Sequence, residues 1–248
     1  MARTIILGDL HLDYGKANTE KVRELLDRLR QNRPDRIVLG GDIYELWRRD
    51  MAGVMWETSW FTDAVDEMGD KGTEIVYLVG NHDSWKLIHT TPNSEYLAQP
   101  QLDYRFSDGG EEFFVTHGHK YEPVYNPVVN DALSVTDDFL GSLSHKIWAN
   151  RPLPGNLFER AGLLALGPAA SYLDIESTSK SRFRIETIHA GIQSESGGSS
   201  WGLYGHTHVP FVSEEQKIAN WGSFTSGRAS YLVVEDGNVQ FVDMTAEG

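Results

Sequence analysis

Cysteine is absent from the 248 residues, which rules out disulfides and thiolate-held metal. Lysine is scarce and outnumbered by arginine. With 36 acidic against 22 basic residues the formal net charge is −14. So acidic a chain has no basic stripe for a large nucleic acid, and it has the excess of surface carboxylates used by salt-adapted proteins. No stretch approaches the ~20 apolar residues of a membrane span. The opening MARTIILGDL holds one short apolar run without the layout of a signal peptide, so a cytoplasmic location is expected. Hydrophobic residues make up 40%, enough for a sizeable core, and α/β folds of this length often stay undivided. A single domain over 1–248 is therefore expected. The charge poses one problem: so acidic a protein would need bound cations to hold an anionic substrate.

What is present is a repeated strand ending. The run Ile75 to Val79 stops at Gly80 and is followed by Asn81, His82 and Asp83. A short apolar run closed by Gly reads as a buried strand with a sharp turn at its end, and open α/β sheets keep their chemistry at carboxyl ends of strands. Thr4 to Leu7 ends the same way in Gly8-Asp9-Leu10-His11, and Asp35 to Leu39 in Gly40-Gly41-Asp42. Asp9 and His11 are two apart, so an extended segment would put them on one side. Between these strands, Val22, Leu25, Leu26 and Leu29 have helical spacing over Thr19 to Gln31, with Thr19 as a candidate N-cap. Strand, helix and strand make a βαβ unit with parallel neighbours. Asp9 and Asp42 then sit side by side, and two carboxylates that close call for a cation between them.

Beyond Asp42, Met55 to Met68 reads as helix, with Trp47, Trp56, Trp60 and Phe61 as packing residues. Tyr104 to Phe106 and Glu112 to Thr116 read as a hairpin that ends in His117-Gly118-His119. Residues 123–188 hold no further motif. They read as a helical insertion, with helices near Asp131 to Ala149 and Leu157 to Leu173, able to lid a site. Ile192 to Ser200 reads as a Gly/Ser loop. Trp201 to Tyr204 is a short strand ending in Gly205-His206-Thr207-His208. Lys217 to Ala219 leads into Asn220 and Trp221, and Ala229 to Glu235 with Val239 to Met244 forms a closing hairpin.

Six of the nine histidines fall in these turns. The donors are Asp9, His11, Asp42, Asn81, His82, His117, His206 and His208, all N or O, which suits Mn, Fe, Zn or Ni. They are more than one ion takes. Two divalent ions about 3.5–4 Å apart would share a carboxylate, clamp a phosphoryl group and lower the pKa of water between them.

GDLHLD, GDIYE, GNHD, the HGH after a strand and GHTH, in that order, resemble the calcineurin-like metallophosphoesterase superfamily. The resemblance implies a sandwich of two mixed β-sheets flanked by helices, with a dinuclear centre, manganese the first candidate, whose bridging hydroxide attacks phosphorus in line. It places Asp9, His11, Asp42 and His208 on one ion, and Asp42, Asn81, His117 and His206 on the other. His82 becomes the group that assists the leaving oxygen rather than a ligand, oriented by Glu45, while Asp83 braces its own turn. Within the superfamily, the GD-x-x-E-x-W run and the apolar insertion are similar to UDP-2,3-diacylglucosamine pyrophosphatases. That implies a small phosphate ester or nucleotide-linked pyrophosphate as substrate, and peripheral contact with a lipid. Arg48, Arg49, Lys86, Arg182 and Arg184 are candidate contacts to its phosphates. A nucleic-acid or cyclic-nucleotide phosphodiesterase, or a non-catalytic binding module on the same fold, is the alternative.

Overall fold

The computed structural model describes residues 2–46, 51–83, 94–122, 178–197 and 200–246. The helices expected near 131–149 and 157–173, most of the 123–188 insertion, and Trp47, Arg48, Arg49 and Lys86 lie outside these residues.

The first sheet is built from β1 (Arg3–Leu7), β2 (Arg36–Leu39) and β3 (Glu74–Tyr77), with β9 (Ser230–Glu235) and β10 (Asn238–Asp243) at its other side, in the order β10-β9-β1-β2-β3. β1, β2 and β3 run parallel, so their carboxyl ends lie together. The second sheet has the order β4-β5-β6-β8-β7, from β4 (Asp103–Asp108), β5 (Glu111–Thr116), β6 (Trp201–Tyr204), β7 (Phe211–Ser213) and β8 (Ile218–Asn220). Here β5, β6 and β8 are the parallel set. Both sheets are mixed, as the resemblance implies.

Side-chain alternation explains the layers. In β1, Ile6 faces the second sheet and packs with Val38, Val76, Phe113, Leu203 and Trp221. Ile5 and Leu7 face the other way, toward Leu25 and Leu26 of α1 (Thr19–Gln31) and Phe61 and Val65 of α3 (Ser59–Asp70). A strand buried on both faces needs apolar residues throughout, so β1 and β2 read as unbroken apolar runs. On the outer face of the second sheet, Phe114, Tyr204 and Ile218 pack against Ile188 and Ile192 of α4 (Thr178–Ser196). The order through the molecule is helices, sheet, sheet, helix.

Several boundaries differ from expectation. Thr19 is the first helical residue and not the cap; Asn18 precedes it and makes no side-chain capping bond. The single helix expected over Met55 to Met68 is two, α2 (Met51–Glu57) and α3, separated at Thr58, whose hydroxyl donates to the Val54 carbonyl at 2.6 Å. β3 stops at Tyr77, because the next residues pair with Gln101: the Val79 N–H donates to its carbonyl at 2.9 Å. The Gly/Ser loop expected from Ile192 begins only after Ser196. Ile192 is core, and Glu195 is held by Lys120 and Tyr121. β7 was not expected; three half-buried residues pair antiparallel with β8. Phe61 is buried and Trp60 packs against the core, but Trp56 is 83% exposed and packs nothing inside. No helix among the described residues is long and apolar enough to cross a membrane.

Candidate metal centre

Six parallel strand ends converge, three from each sheet. β1, β2 and β3 are followed by Asp9, Asp42 and Asn81; β5, β6 and β8 by His117, His206 and Trp221. The loops after β1 and β2 stay in register beyond the strands. The N–H groups of Asp9, His11 and Leu12 donate to the carbonyls of Gly41, Asp42 and Ile43, each at 2.9 Å.

The reason that Asp9 and His11 share one side is not the one expected. Asp9 and His11 sit in the left-handed region at φ 51° and 45°, Asp42 at 52°, and His206 and His208 at 63° and 56°. The segments are therefore not extended. Left-handed non-glycine residues cost of order ~1–3 kcal/mol each and cluster where function demands them. Here the surrounding bonds hold them: besides the ladder, the His206 N–H donates to the Asp9 carboxylate at 3.1 Å and the Phe224 N–H to the Asp9 carbonyl at 3.1 Å.

The glycines of these motifs also have a reason of their own. Gly8, Gly40 and Gly205 are not left-handed. All three lie against the ring of Trp221, and a Cβ on Gly40 or Gly205 would overlap it. At Gly8 a Cβ would stand 2.9 Å from the indole nitrogen. Trp221 is fully buried, and its N–H donates to Asp9 Oδ2 at 2.7 Å. Asn220 completes this wall, donating to the Gly205 carbonyl at 2.8 Å. Neither residue was singled out from sequence, because a donor-only indole matches no metal or catalytic pattern.

Three groups of donor atoms lie within 4.8 Å of one another: Asp9, His11 and His208; His11, Asp42 and His82; and Asp9, Asp42 and His117. Asp9 and Asp42 are at most 2% exposed. Burial alone would push both carboxyls up; the imidazoles of His208 beside Asp9 and of His117 beside Asp42 outweigh it, and both lie below the ordinary range. Burial lowers His117, but Asp42 reverses this and lifts it to about 9. Buried carboxylates and imidazoles drawn together in this way fit divalent cations, which would take the place of the imidazole protons.

The outer nitrogens of the rings are engaged in a way that fixes tautomers. A carbonyl can only accept, so His117 Nδ1, 2.9 Å from the Gly40 oxygen, carries the proton and leaves Nε2 for the centre. Nε2 is 3.2 Å from Asn81 Oδ1 and 3.3 Å from Asp42 Oδ2. Glu45 is buried, and though burial would raise its carboxyl, His82 and His11 hold it well below the usual range. It accepts from two rings at once: His82 Nδ1 at 2.9 Å on Oε1 and His11 Nδ1 at 3.1 Å on Oε2. The structure brings Glu45 together with His82, the partner the resemblance gives it, and also with His11, which the motif does not pair with it. Asp83 accepts from the Tyr44 N–H and the Gly80 N–H, each at 3.1 Å, and burial with the nearby Asp42 charge pushes it up to about 7. Asp83→Ala leaves two buried N–H groups without an acceptor, at about 1–3 kcal/mol each. Urea unfolding is expected to show a midpoint shift equivalent to about 2–6 kcal/mol; an unchanged midpoint would mean that water replaces the carboxylate at no cost.

His206 stands apart from the three donor groups. Its ring is 5.3 Å from that of His117, and its Nε2 lies 2.9 Å from Glu122 Oε2. Burial lowers this imidazole to about 4. Glu122 was not foreseen: it belongs to no motif and reaches the site only through the short helical turn of His119–Tyr121. Arg184, on α4, has Nε 2.6 Å from Glu122 Oε2 and Nη2 3.2 Å from His206 Nε2. Of the five basic candidates, Arg184 is the one whose side-chain contacts are described, and it meets His206; Arg182 lies on the same helix.

The sequence profile of calcineurin-like phosphoesterases matches residues 2–210. No curated protein matches the chain. Among solved structures, a conserved uncharacterized protein and predicted phosphoesterase from Streptococcus pneumoniae is 17% identical, with 98% of this chain and 89% of that chain covered and a TM-score of 0.42. A hypothetical protein from Pyrococcus horikoshii is 12% identical, with 98% and 88% covered, at 0.47. A dimetal phosphatase from Danio rerio is 10% identical, with 98% and 95% covered, at 0.48. Likenesses this distant speak to neither substrate nor mechanism. The profile match spans most of the chain, and the protein belongs to the calcineurin-like phosphoesterase family of metal-dependent phosphoester hydrolases.

Proposed function

We propose that this hydrolase acts on a small phosphoric ester or nucleotide-linked pyrophosphate, with manganese as the first candidate metal. The observation that carries the reading is the pair of buried carboxylates, Asp9 and Asp42, inside overlapping donor groups with His11, His208 and His117. Asp9, His11, Asp42 and His208 would hold one cation, and Asp42, Asn81, His117 and His206 the other. When bound, such a pair neutralises phosphoryl charge and acidifies water between the ions.

The protein's own groups then divide the work. His82 gives its Nδ1–H to Glu45, so Nε2 is the atom that faces the leaving oxygen and exchanges a proton with it. The Asn81 amide can donate to a phosphoryl oxygen through its nitrogen while its oxygen faces the centre. Arg184, 37% exposed, sits at the mouth, where its forked donors suit a phosphate. The GDIYELW run and the apolar sequence before α4 favour a lipid-linked pyrophosphate of the UDP-2,3-diacylglucosamine kind as the finer reading. The net charge of −14 weighs against a nucleic-acid substrate.

The test is hydrolysis of bis(p-nitrophenyl) phosphate, p-nitrophenyl phosphate and a UDP-linked pyrophosphate at low and high salt. Turnover is expected to vanish with EDTA and return with Mn²⁺, with the pyrophosphate preferred. Preference for either nitrophenyl ester would replace the pyrophosphate reading. No turnover of any of the three by a protein carrying two metals would remove the small-substrate reading.

A further inference from the structure

Glu122 and Arg184 lie on opposite sides of the 123–177 segment in sequence and meet on one nitrogen of His206. Both Arg184 Nε and His206 Nε2 point at the same oxygen, Glu122 Oε2, at 2.6 and 2.9 Å. A carboxylate only accepts, so His206 Nε2 carries the proton in this arrangement and the lone pair is on Nδ1. The Arg184 Nη2, 3.2 Å from the same Nε2, is then one donor facing another, held there by the shared carboxylate. Remove Glu122 and that relation reverses. The guanidinium would donate to Nε2, and the ring proton would move to Nδ1, the nitrogen that His206 would need to offer a cation.

The helix carrying Arg184 has little freedom to withdraw. Consecutive residues of one turn reach it at two levels. Glu122 holds Arg184, while Lys120 and Tyr121 hold Glu195 at 2.7 and 2.5 Å. Positions 184 and 195 are eleven residues apart, about three helical turns, and so lie on one face. Gly191, on that same face, lets the helix close on Tyr121, whose ring a Cβ there would overlap. Without Glu122 the bonds at Glu195 and the contact at Gly191 would still hold the helix, so the Arg184 side chain, no longer restrained, could still reach His206.

We propose that Glu122 is a positioning residue that selects the metal-binding tautomer of His206 and at the same time restrains Arg184 for the substrate's phosphoryl group. The proposal rests on the hydrolase reading for the part played by substrate, but its first consequence concerns the apoprotein. Outer-shell partners of this kind typically change metal affinity 10–100-fold.

Three variants and two measurements test it. Calorimetric Mn²⁺ titration of the EDTA-stripped protein is expected to show affinity reduced about 10–100-fold in Glu122→Ala and unchanged in Arg184→Ala, which instead raises KM. In the Glu122→Ala/Arg184→Ala double variant, affinity is expected to recover toward wild type, because the competing donor has gone. A merely structural role for Glu122 would not produce that recovery. Nitrogen-15 NMR of the apoprotein reads the tautomer directly, Nε2–H in wild type and Nδ1–H in Glu122→Ala. It needs neither metal nor substrate, so a wild type that fails to hydrolyse phosphoesters leaves this test standing. If Glu122→Ala does not fold, Glu122→Gln serves: its amide oxygen still accepts the His206 proton, so metal affinity is kept while KM rises. An unchanged His206 tautomer in Glu122→Ala, or a double variant as weak as Glu122→Ala alone, would overturn the proposal; so would a Glu122→Gln protein with wild-type KM.

Discussion

Trp221→Ala is expected to lower stability by about 3–5 kcal/mol, the range for removing a large buried aromatic. The side chain is fully buried and belongs to the core between the sheets. Its ring lies against Gly8, Gly40 and Gly205, three glycines that immediately precede or lead into candidate ligands. Alanine would open a cavity where strand ends from both sheets meet, and glycines cannot fill it. The cavity cost comes with a lost hydrogen bond, from the indole N–H to Asp9 Oδ2 at 2.7 Å. Trp221→Phe separates the two: it keeps most of the ring, removes the donor, and is expected to cost about 1–3 kcal/mol. Urea unfolding of EDTA-treated protein checks both without a contribution from bound metal. Equal midpoints for wild type and Trp221→Phe would show that the donor adds nothing at Asp9.

His82→Ala and Asp42→Asn are expected to abolish turnover for different reasons, and metal content tells them apart. Loss of a general acid or base typically costs 10²–10⁴-fold in rate. In His82→Ala, Glu45 keeps its bond to His11 Nδ1 at 3.1 Å, so the remaining donor groups stay oriented and both metals should be retained. Asp42 belongs to two of the three donor groups. Its Oδ1 also accepts the His82 N–H at 2.7 Å. Asp42→Asn removes the charge that both cations would share and should lower the metal stoichiometry along with the rate. Element analysis of dialysed protein beside kcat decides. If His82→Ala lost both metals, His82 would be a ligand, in keeping with its place in a donor group with His11 and Asp42, and its assignment to the leaving oxygen would fall.

The strand ends were legible because the parallel strands are buried on both faces. That forces continuous apolar runs, and the runs stop where the ligands begin. The convergence of Asp9 with Asp42 followed from reading strand, helix and strand as a βαβ unit with adjacent parallel strands. The physics inside the turns was not legible. Alternation along an extended chain seemed to put Asp9 and His11 on one side, whereas left-handed backbone does so. The glycines seemed to serve the turns, whereas Gly8, Gly40 and Gly205 make room for an indole more than a dozen residues further along the chain. Glu122 could not be found because its partners, His206 and Arg184, come from later segments that only the fold brings beside it. The end of α4 was missed because GIQSES has weak helical preference; tertiary bonds from Lys120 and Tyr121 to Glu195 carry the helix to Ser196.

The indole seated on three glycines has a consequence for how this chain can diverge. Gly8, Gly40 and Gly205 are scattered along the sequence, yet each meets the same ring; Gly205 also meets the Asp9 carboxylate, and Gly8 the backbone at Gly40 and Gly41. None of them can acquire a side chain while position 221 stays tryptophan, and position 221 cannot shrink without leaving a void that all three border. The four sites form one unit of inheritance. A lineage that leaves this arrangement has to change the aromatic residue first, accept a period of weakened folding, and only then admit a larger residue at Gly40, while Gly205 stays closed by Asp9.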